Sequence, residues 1–249
     1  MKITNKTVLI TGGGSGIGFE IAKQLIEQGN KVIITGRSAD RLKEAATLLS
    51  GADTFAFDVT SAADTDNLVA YLAENHPTLD VLINNAGQAF YYNLATEENT
   101  YEKASAEMLT NFTAILRLTD KLLPVLKAQP EAAIVNVSSI LGLAPHYTIP
   151  TYSASKAALH AYTQSLRYSL QQKGSTVKVF ELMPPLVNTE FSKEIGGENG
   201  IPASQVATEL LQAFETDTYE IHVGGTADFY NGFFTKSEAA FAALNSKGE

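Results

Sequence analysis

Short apolar runs alternate with longer stretches of helical period along most of this chain, and that alternation constrains its fold more than any other feature. The runs are Thr7–Thr11, Lys31–Thr35, Thr54–Val59, Val81–Asn84, Ala132–Ser138 and Thr176–Leu182, with Tyr219–Val223 as a seventh. Their near-continuous apolar character suits parallel strands covered on both faces, because a strand with one wet side would alternate. Between the first two, Ile17, Ile21, Ala22, Leu25 and Ile26 recur at three-to-four spacing and mark one apolar helix face. Gly29-Asn30 supplies its stop, since either residue tolerates the left-handed conformation that ends a helix. Further helices are expected over Ala39–Ser50, Ser61–Asn75, Thr100–Lys127, Tyr152–Lys173 and Phe233–Leu244. Strand and helix alternating at this interval predict right-handed crossovers and an α/β, doubly wound, mostly parallel seven-stranded sheet with helices on both faces. There is no internal repeat or proline-rich linker; Gly196–Gly200 reads as a loop, so residues 1–249 are expected to form a single domain.

Composition excludes several classes of function. The 18 basic and 27 acidic residues leave a net charge of −9, against the clustered Lys and Arg that a general nucleic-acid binder needs. The absence of cysteine excludes disulfides, thiolate metal sites and a thiol nucleophile, and fits a reducing cytoplasm. Lys2 and Lys6 precede only the short apolar run Val8-Leu9-Ile10, too short for the core of a signal peptide. The longest stretch without Asp, Glu, Lys or Arg, 132–155, is broken by Asn136, Ser138, Ser139, His146 and two prolines, so no membrane span is expected.

The first strand runs into Thr11-Gly12-Gly13-Gly14-Ser15-Gly16-Ile17-Gly18 and then into the first helix. Glycines let the main chain turn sharply and approach a pyrophosphate, while the helix start offers unpaired N–H groups and the positive end of its dipole. The lysine of a nucleoside-triphosphate loop is missing, and Gly-x-Gly-x-x-Gly is not met in any register; what stands is Thr-Gly-x-x-x-Gly-x-Gly. In dinucleotide folds an acid at the end of the second strand grips the ribose 2′-hydroxyl, whereas arginine accommodates a 2′-phosphate. Here that strand ends Gly36-Arg37-Ser38, with Arg41 nearby and no acid before Asp40, which favours NADP(H) over NAD(H). The alternative is that Arg37 is a solvated surface charge.

Tyr152 and Lys156 lie four apart, so on a helix they share one face. A tyrosine is a poor acid–base group while its pKa stays near 10; an adjacent ammonium and a positive nicotinamide ring favour the phenolate and pull that value down. Ser139 lies thirteen residues upstream of Tyr152, at the end of a predicted strand; alternation puts the neighbouring Ser138 on the other side of it. A serine hydrolase is disfavoured, because no Gly-x-Ser-x-Gly elbow exists. His76, His160 and His222 read as structural or solvated, and His146, between Ser139 and Tyr152, as open to a substrate-facing role.

The glycine loop and the frame Ser-x(12)-Tyr-Ser-Ala-Ser-Lys together resemble the short-chain dehydrogenase/reductase family in its single-domain, Rossmann-like form, over essentially the whole chain. The resemblance implies cofactor contacts from Gly12, Ser15, Gly16, Ile17, Gly18 and Arg37, from the adenine-side pair Asp58-Val59, and from Asn85, Ala86 and Gly87 of an Asn-Asn-Ala-Gly motif. It further implies Pro184, Val187 and Thr189 at the nicotinamide, with Pro185 standing where the family usually has glycine. Tyr152 would protonate a carbonyl oxygen or take the proton of an alcohol, Ser139 would hold that oxygen, and Lys156 would bind the nicotinamide ribose. Asn111 would anchor a water relay to Lys156. No metal is implied.

Substrate is then expected against Phe90, Tyr91, Tyr92, Leu141, Leu143, His146, Tyr147, Leu186 and Phe191, an apolar set without an arginine for an anionic group. That favours a neutral, fairly hydrophobic ketone or aldehyde and its alcohol; the alternative is that several of these aromatics are core. The C-terminal strand and Met-Pro-Pro look closer to the branch of the DltE-type oxidoreductases. Family members are dimers or tetramers through their long helices, so a homo-oligomer is expected. Two functional alternatives stay open: a non-catalytic dinucleotide-binding protein, and a family member acting on a sugar or acyl substrate.

Overall fold

The structure is a computed structural model and describes residues 1–235. In chain order it runs β1 (Thr7–Thr11), α1 (Gly16–Glu27), β2 (Lys31–Gly36), α2 (Ala39–Leu49), β3 (Asp53–Ala56), α3 (Ala62–Asn75) and β4 (Val81–Asn84). Then follow α4 (Thr100–Met108), α5 (Ala114–Lys127), β5 (Ala132–Val137), α6 (Pro150–Gln172), β6 (Val177–Met183), the short strands β7 (Val187–Asn188) and β8 (Ile201–Pro202), α7 (Ala203–Thr216), β9 (Glu220–His222) and α8 (Thr226–Thr235). Seven strands form one sheet in the order β3-β2-β1-β4-β5-β6-β9, every pair parallel. This is the doubly wound Rossmann-like fold expected from the alternation.

Alternate residues of each strand serve opposite faces. Val8, Ile10, Ile34, Ile83, Val135 and Phe180 pack with Ile21 and Leu25 of α1 and with Leu210 and Phe214 of α7. Leu9, Ile33, Leu82, Ile134 and Val179 pack instead with Leu68 and Leu72 of α3, Leu118 and Leu122 of α5 and Leu170 of α6. All of these side chains are buried.

Several expectations are adjusted. The strand expected over Thr54–Val59 ends at Ala56, because Thr60 donates twice to the Asp58 carboxylate and Asp64 accepts the Asp58 N–H, drawing the chain into a turn. The helix expected over Thr100–Lys127 is interrupted by a widened π turn at Leu109–Thr113, a feature that apolar periodicity does not register. Gly196–Gly200 is more ordered than a plain loop: Gly197–Asn199 forms a 3₁₀ turn, and β8 pairs with β7 directly after it. Helix α7 has no counterpart among the expected elements, although Val206, Leu210 and Phe214 lie on one face. The last described helix starts at Thr226, earlier than expected; the expected helix over 233–244 lies outside the described residues from 236 on.

Candidate active site

The strand order reverses between β1 and β4, and there the crevice beyond the strand ends opens. Thr11 and Asn85 hold its two lips together. The Thr11 hydroxyl accepts the N–H groups of Asn85 and Ala86, both at 3.0 Å, while Asn85 Nδ2 donates to the carbonyls of Thr11 (3.0 Å) and Gly12 (3.1 Å). Closeness explains the glycines. A Cβ on Gly18 would lie 2.5 Å from both Asn85 Nδ2 and the Gly12 carbonyl, and one on Gly13 would lie 2.6 Å from Ile34. Gly12 and Gly16 have φ of +67° and +55°, which other residues adopt only with strain.

Helix α1 begins at Gly16 with Ser15 before it, no side-chain cap and no acid in its first turn. Its leading N–H groups are therefore open to an anion, and this donor set, lying against a cradle that any Cβ would fill, fits a dinucleotide pyrophosphate. Ile17 is partly buried beside it, and Thr189 comes over the loop, its methyl 3.2 Å from where a Gly16 Cβ would stand. Directly after β2, Arg37 is exposed. Burial alone would raise the Asp58 carboxyl, but the two bonds from Thr60 and the charges of Arg37 and Arg117 outweigh that and hold it below the usual range. Arg117 also donates to the Val59 carbonyl at 2.7 Å, fixing that residue.

On the other side of the crevice Gly87 comes down between two of the expected residues: a Cβ there would stand 3.5 Å from Asn111 Oδ1 and 3.9 Å from Lys156 Nζ. The π turn carries Asn111 fully inside. Its amide does not bond its own helix. Oδ1 accepts the Gln88 N–H at 2.8 Å, and Nδ2 donates to the Gln88 carbonyl (2.8 Å) and Ser155 Oγ (2.9 Å). Ser155 in turn donates to the Tyr152 carbonyl at 2.7 Å. Lys156 Nζ donates to the Val137 carbonyl at 2.8 Å and lies 5.5 Å from the centre of the Tyr152 ring.

The Tyr152 hydroxyl faces Ser139, whose Oγ also accepts the Leu141 N–H at 3.1 Å and which acts to lower the phenol. Ser138, as alternation requires, points the other way, donating to Glu181 at 2.6 Å. In the protein alone the phenol is not drawn down as expected from its lysine. Burial pushes it above its usual 10, opposed by Ser139 and reinforced by the charge of Glu107. Burial likewise draws the Lys156 ammonium down to about 8, with Glu181 acting against that fall.

Of the residues expected at substrate, Phe90, Leu141, Leu143, His146 and Leu186 are partly exposed, and Tyr91, Tyr147 and Phe191 are exposed. The Phe191 ring lies 6.1 Å from that of Tyr152. Tyr92 is buried and bonds Thr151, so it belongs to the framework. His146 Nδ1 accepts from the Thr148 hydroxyl at 2.7 Å, which leaves Nε2 to carry the ring proton. Pro184 is buried and its carbonyl accepts the N–H of Ile140, next to Ser139; Val187 is buried behind it.

Four residues of the site have no place among the expected ones. Thr11 is adjacent to the glycines and Ser155 sits inside the Tyr–Lys frame. Glu181 lies within an apolar strand, where an acid signals a buried partner; the partner is His160, whose Nδ1 stands 2.9 Å from it, so His160 is structural rather than solvated. Glu107 has no signal, since an acid on a polar-faced helix reads as surface, yet it is fully buried.

An anion-ready helix start at the switch point, with a phenol, a hydroxyl and an ammonium gathered across from it, defines a dinucleotide-dependent oxidoreductase site. The short chain dehydrogenase family profile matches residues 6–200, and the chain belongs to that family, the short-chain dehydrogenase/reductases. Within it the chain is 40% identical to an uncharacterized oxidoreductase, DltE, of Bacillus subtilis, over 84% of this chain and 82% of that one. It is 32% identical to an uncharacterized oxidoreductase of Staphylococcus epidermidis, over 85% of this chain and 92% of that one. Among solved structures, a short chain dehydrogenase from Burkholderia cenocepacia in complex with NADP superposes with a TM-score of 0.87 at 25% identity, covering 99% of this chain and all of that one. A short chain dehydrogenase/reductase from Burkholderia phymatum in complex with NAD has the same fold, with a TM-score of 0.88 at 20% identity, covering 100% and 98%.

Proposed function

We propose that this oxidoreductase uses NADP(H) to interconvert a neutral, fairly hydrophobic ketone or aldehyde and its alcohol. The observation that carries the reading is the buried Lys156, its Nζ 5.5 Å from the centre of the Tyr152 ring and 3.9 Å from where a Gly87 Cβ would stand. A bound nicotinamide dinucleotide supplies the hydride in reduction and accepts it in oxidation. The rest falls to the chain. Tyr152 gives its proton to the carbonyl oxygen, or takes it from the alcohol, and Ser139 holds that oxygen by a hydrogen bond. Lys156 keeps a positive charge beside the phenol and binds the nicotinamide ribose. Asn111 has its amide committed to Gln88 and Ser155, so it acts as a positioning residue that keeps Gly87 and the Tyr152 turn in place. Gly12 to Gly18, with Asn85, Ala86 and Gly87, would hold the dinucleotide through their main-chain groups. Asp58 and Val59 would face the adenine, Arg37 the 2′-phosphate, and Pro184, Val187 and Thr189 the nicotinamide.

The exposed Phe191 and Tyr91 and the partly exposed Leu141 and Leu186 support an apolar substrate. The exposed rings of Tyr101 and Tyr168, with Leu109, support a homo-oligomer built on α4 and α6. The test is turnover of a panel of ketones, aldehydes and charged sugars with NADPH and with NADH, followed by absorbance. Tyr152→Phe should then lose on the order of 100- to 10,000-fold in rate while still binding NADPH. Unchanged turnover in that variant, or turnover of charged sugars alone, refutes the reading.

A further inference from the structure

Glu107 is the one acid of α4 that points wholly inward, one turn before Asn111. Burying a carboxylate costs several kcal/mol unless it is matched, so its partners say what holds it there. No lysine, arginine or histidine among the described residues forms an ion pair with it; the nearby Lys103 is engaged by Glu97 and lies 4.8 Å above the Tyr92 ring. Its partners are two donors from the walls of the substrate crevice. The Phe90 N–H donates to Oε1 at 2.8 Å, and the Thr151 hydroxyl donates to Oε2. A carboxylate only accepts, so the Thr151 proton is spent on Glu107 and the same hydroxyl must accept from Tyr92, 2.5 Å away. The chain of bonds therefore has one direction, Tyr92 to Thr151 to Glu107. It ties the loop after β4 to the first turn of α6, where Thr151 is followed by Tyr152. The bond from the Tyr92 N–H to the Thr148 carbonyl, 2.8 Å, closes the same loop onto the approach to α6.

We propose that Glu107 is a positioning residue that locks the Phe90–Tyr92 substrate loop to the Tyr152 turn and, through its bond from Thr151, sets a carboxylate beside that turn. This rests on the reading of Tyr152 as the proton donor. The charges facing the phenol are Glu107 from α4 and Lys156 from its own helix; the charge facing Glu107 is Lys103 on α4. Burial raises the Glu107 carboxyl above its usual range, and its two hydrogen bonds and Lys103 act against that rise. A charge at this place leaves the overall equilibrium untouched and moves the pH profiles: carbonyl reduction persists to higher pH, and alcohol oxidation needs a more alkaline one.

Glu107→Gln is nearly the same size and can keep both bonds, its carbonyl accepting from Phe90 and its amide donating to Thr151. Its expected KM for a carbonyl substrate is within about twofold of the parent. The alkaline limb of reduction should move to lower pH, and alcohol oxidation at pH 7 should rise roughly three- to tenfold, as removal of a neighbouring like charge requires. Thr151→Val, which cuts the tie to Tyr92 and one of the two bonds that hold the Glu107 carboxyl down, should raise KM roughly tenfold. A Gln profile that superimposes on the parent's overturns the inference, and so does an unchanged KM in Thr151→Val, which carries the test alone if the Gln variant does not fold. Tyr152→Phe separates the two failures: if it keeps its rate, the proton-donor reading falls; if it is inactive while Glu107→Gln matches the parent, only the role of Glu107 falls.

Discussion

The two walls of the crevice are built by different means. The wall made by β1, α1 and the end of β4 is almost all main chain: glycines, helix N–H groups, and the clamp of Thr11 and Asn85. The wall made by α4, β5, α6 and β6 is built from buried ionisable side chains, with Glu107, Lys156 and Glu181 all nearly or fully out of solvent. A main-chain wall has nothing to titrate and is sensitive to volume. A wall of buried charges tolerates little change of charge, because each member is matched by a specific partner.

The sharpest way to break that contrast is to remove a charge from the second wall. Glu181 accepts from Ser138 and pairs with His160, so Glu181→Leu strands both and should cost about 3–5 kcal/mol of stability in urea unfolding. The cost depends on pH. The hydrogen bond and charge of Glu181, helped by Glu220 and opposed by burial and Arg167, raise His160 above its usual 6.5. A raised histidine contributes its stability in full below pH 6.5 and loses it as pH climbs through the folded value. The gap between parent and variant should therefore be wider at pH 6 than at pH 9; equal gaps would mean that the pair is not charged in the native protein.

A smaller effect is expected from volume in the first wall. Gly18→Ala puts a methyl where the Gly12 carbonyl and Asn85 amide stand 2.5 Å away, and neither can retreat without opening the clamp. Such overpacking should cost about 1–3 kcal/mol in a thermal melt and weaken dinucleotide binding at least tenfold by fluorescence titration, with no dependence on pH. Undiminished affinity would show that the cradle is looser than its geometry. The smallest change is expected at Arg37, the exposed edge of the same wall. Arg37→Ala should raise KM for NADPH roughly tenfold and leave that for NADH nearly unchanged, in line with loss of one charge-assisted contact. Equal effects on both would remove the argument for NADP(H).

Much of the first wall is legible in the chain because what it needs is written as residue type: only glycine fits at Gly12, Gly13 and Gly18, and their spacing survives any tertiary arrangement. The serine, tyrosine and lysine are legible for a related reason, their spacing being the reach of one loop and one helical turn. Glu107, His160 and Glu181 are not, since an acid or a histidine on a helix or strand looks the same whether water or a partner faces it. Helix α7 shows the same limit: its apolar stripe gains meaning from α1, where Gln24 bonds Ser204 and Thr208.

The alternation of strands and helices, the glycine turn and the interval from Ser139 to Lys156 follow from local sterics and from which faces must avoid water, and both are properties of neighbouring residues along the chain. The state of the phenol does not. It depends on how deeply Tyr152 is covered and on a carboxylate 45 positions earlier, on a helix that folding packs against the first turn of α6. Charges act through space and through whatever medium surrounds them, and folding alone establishes both.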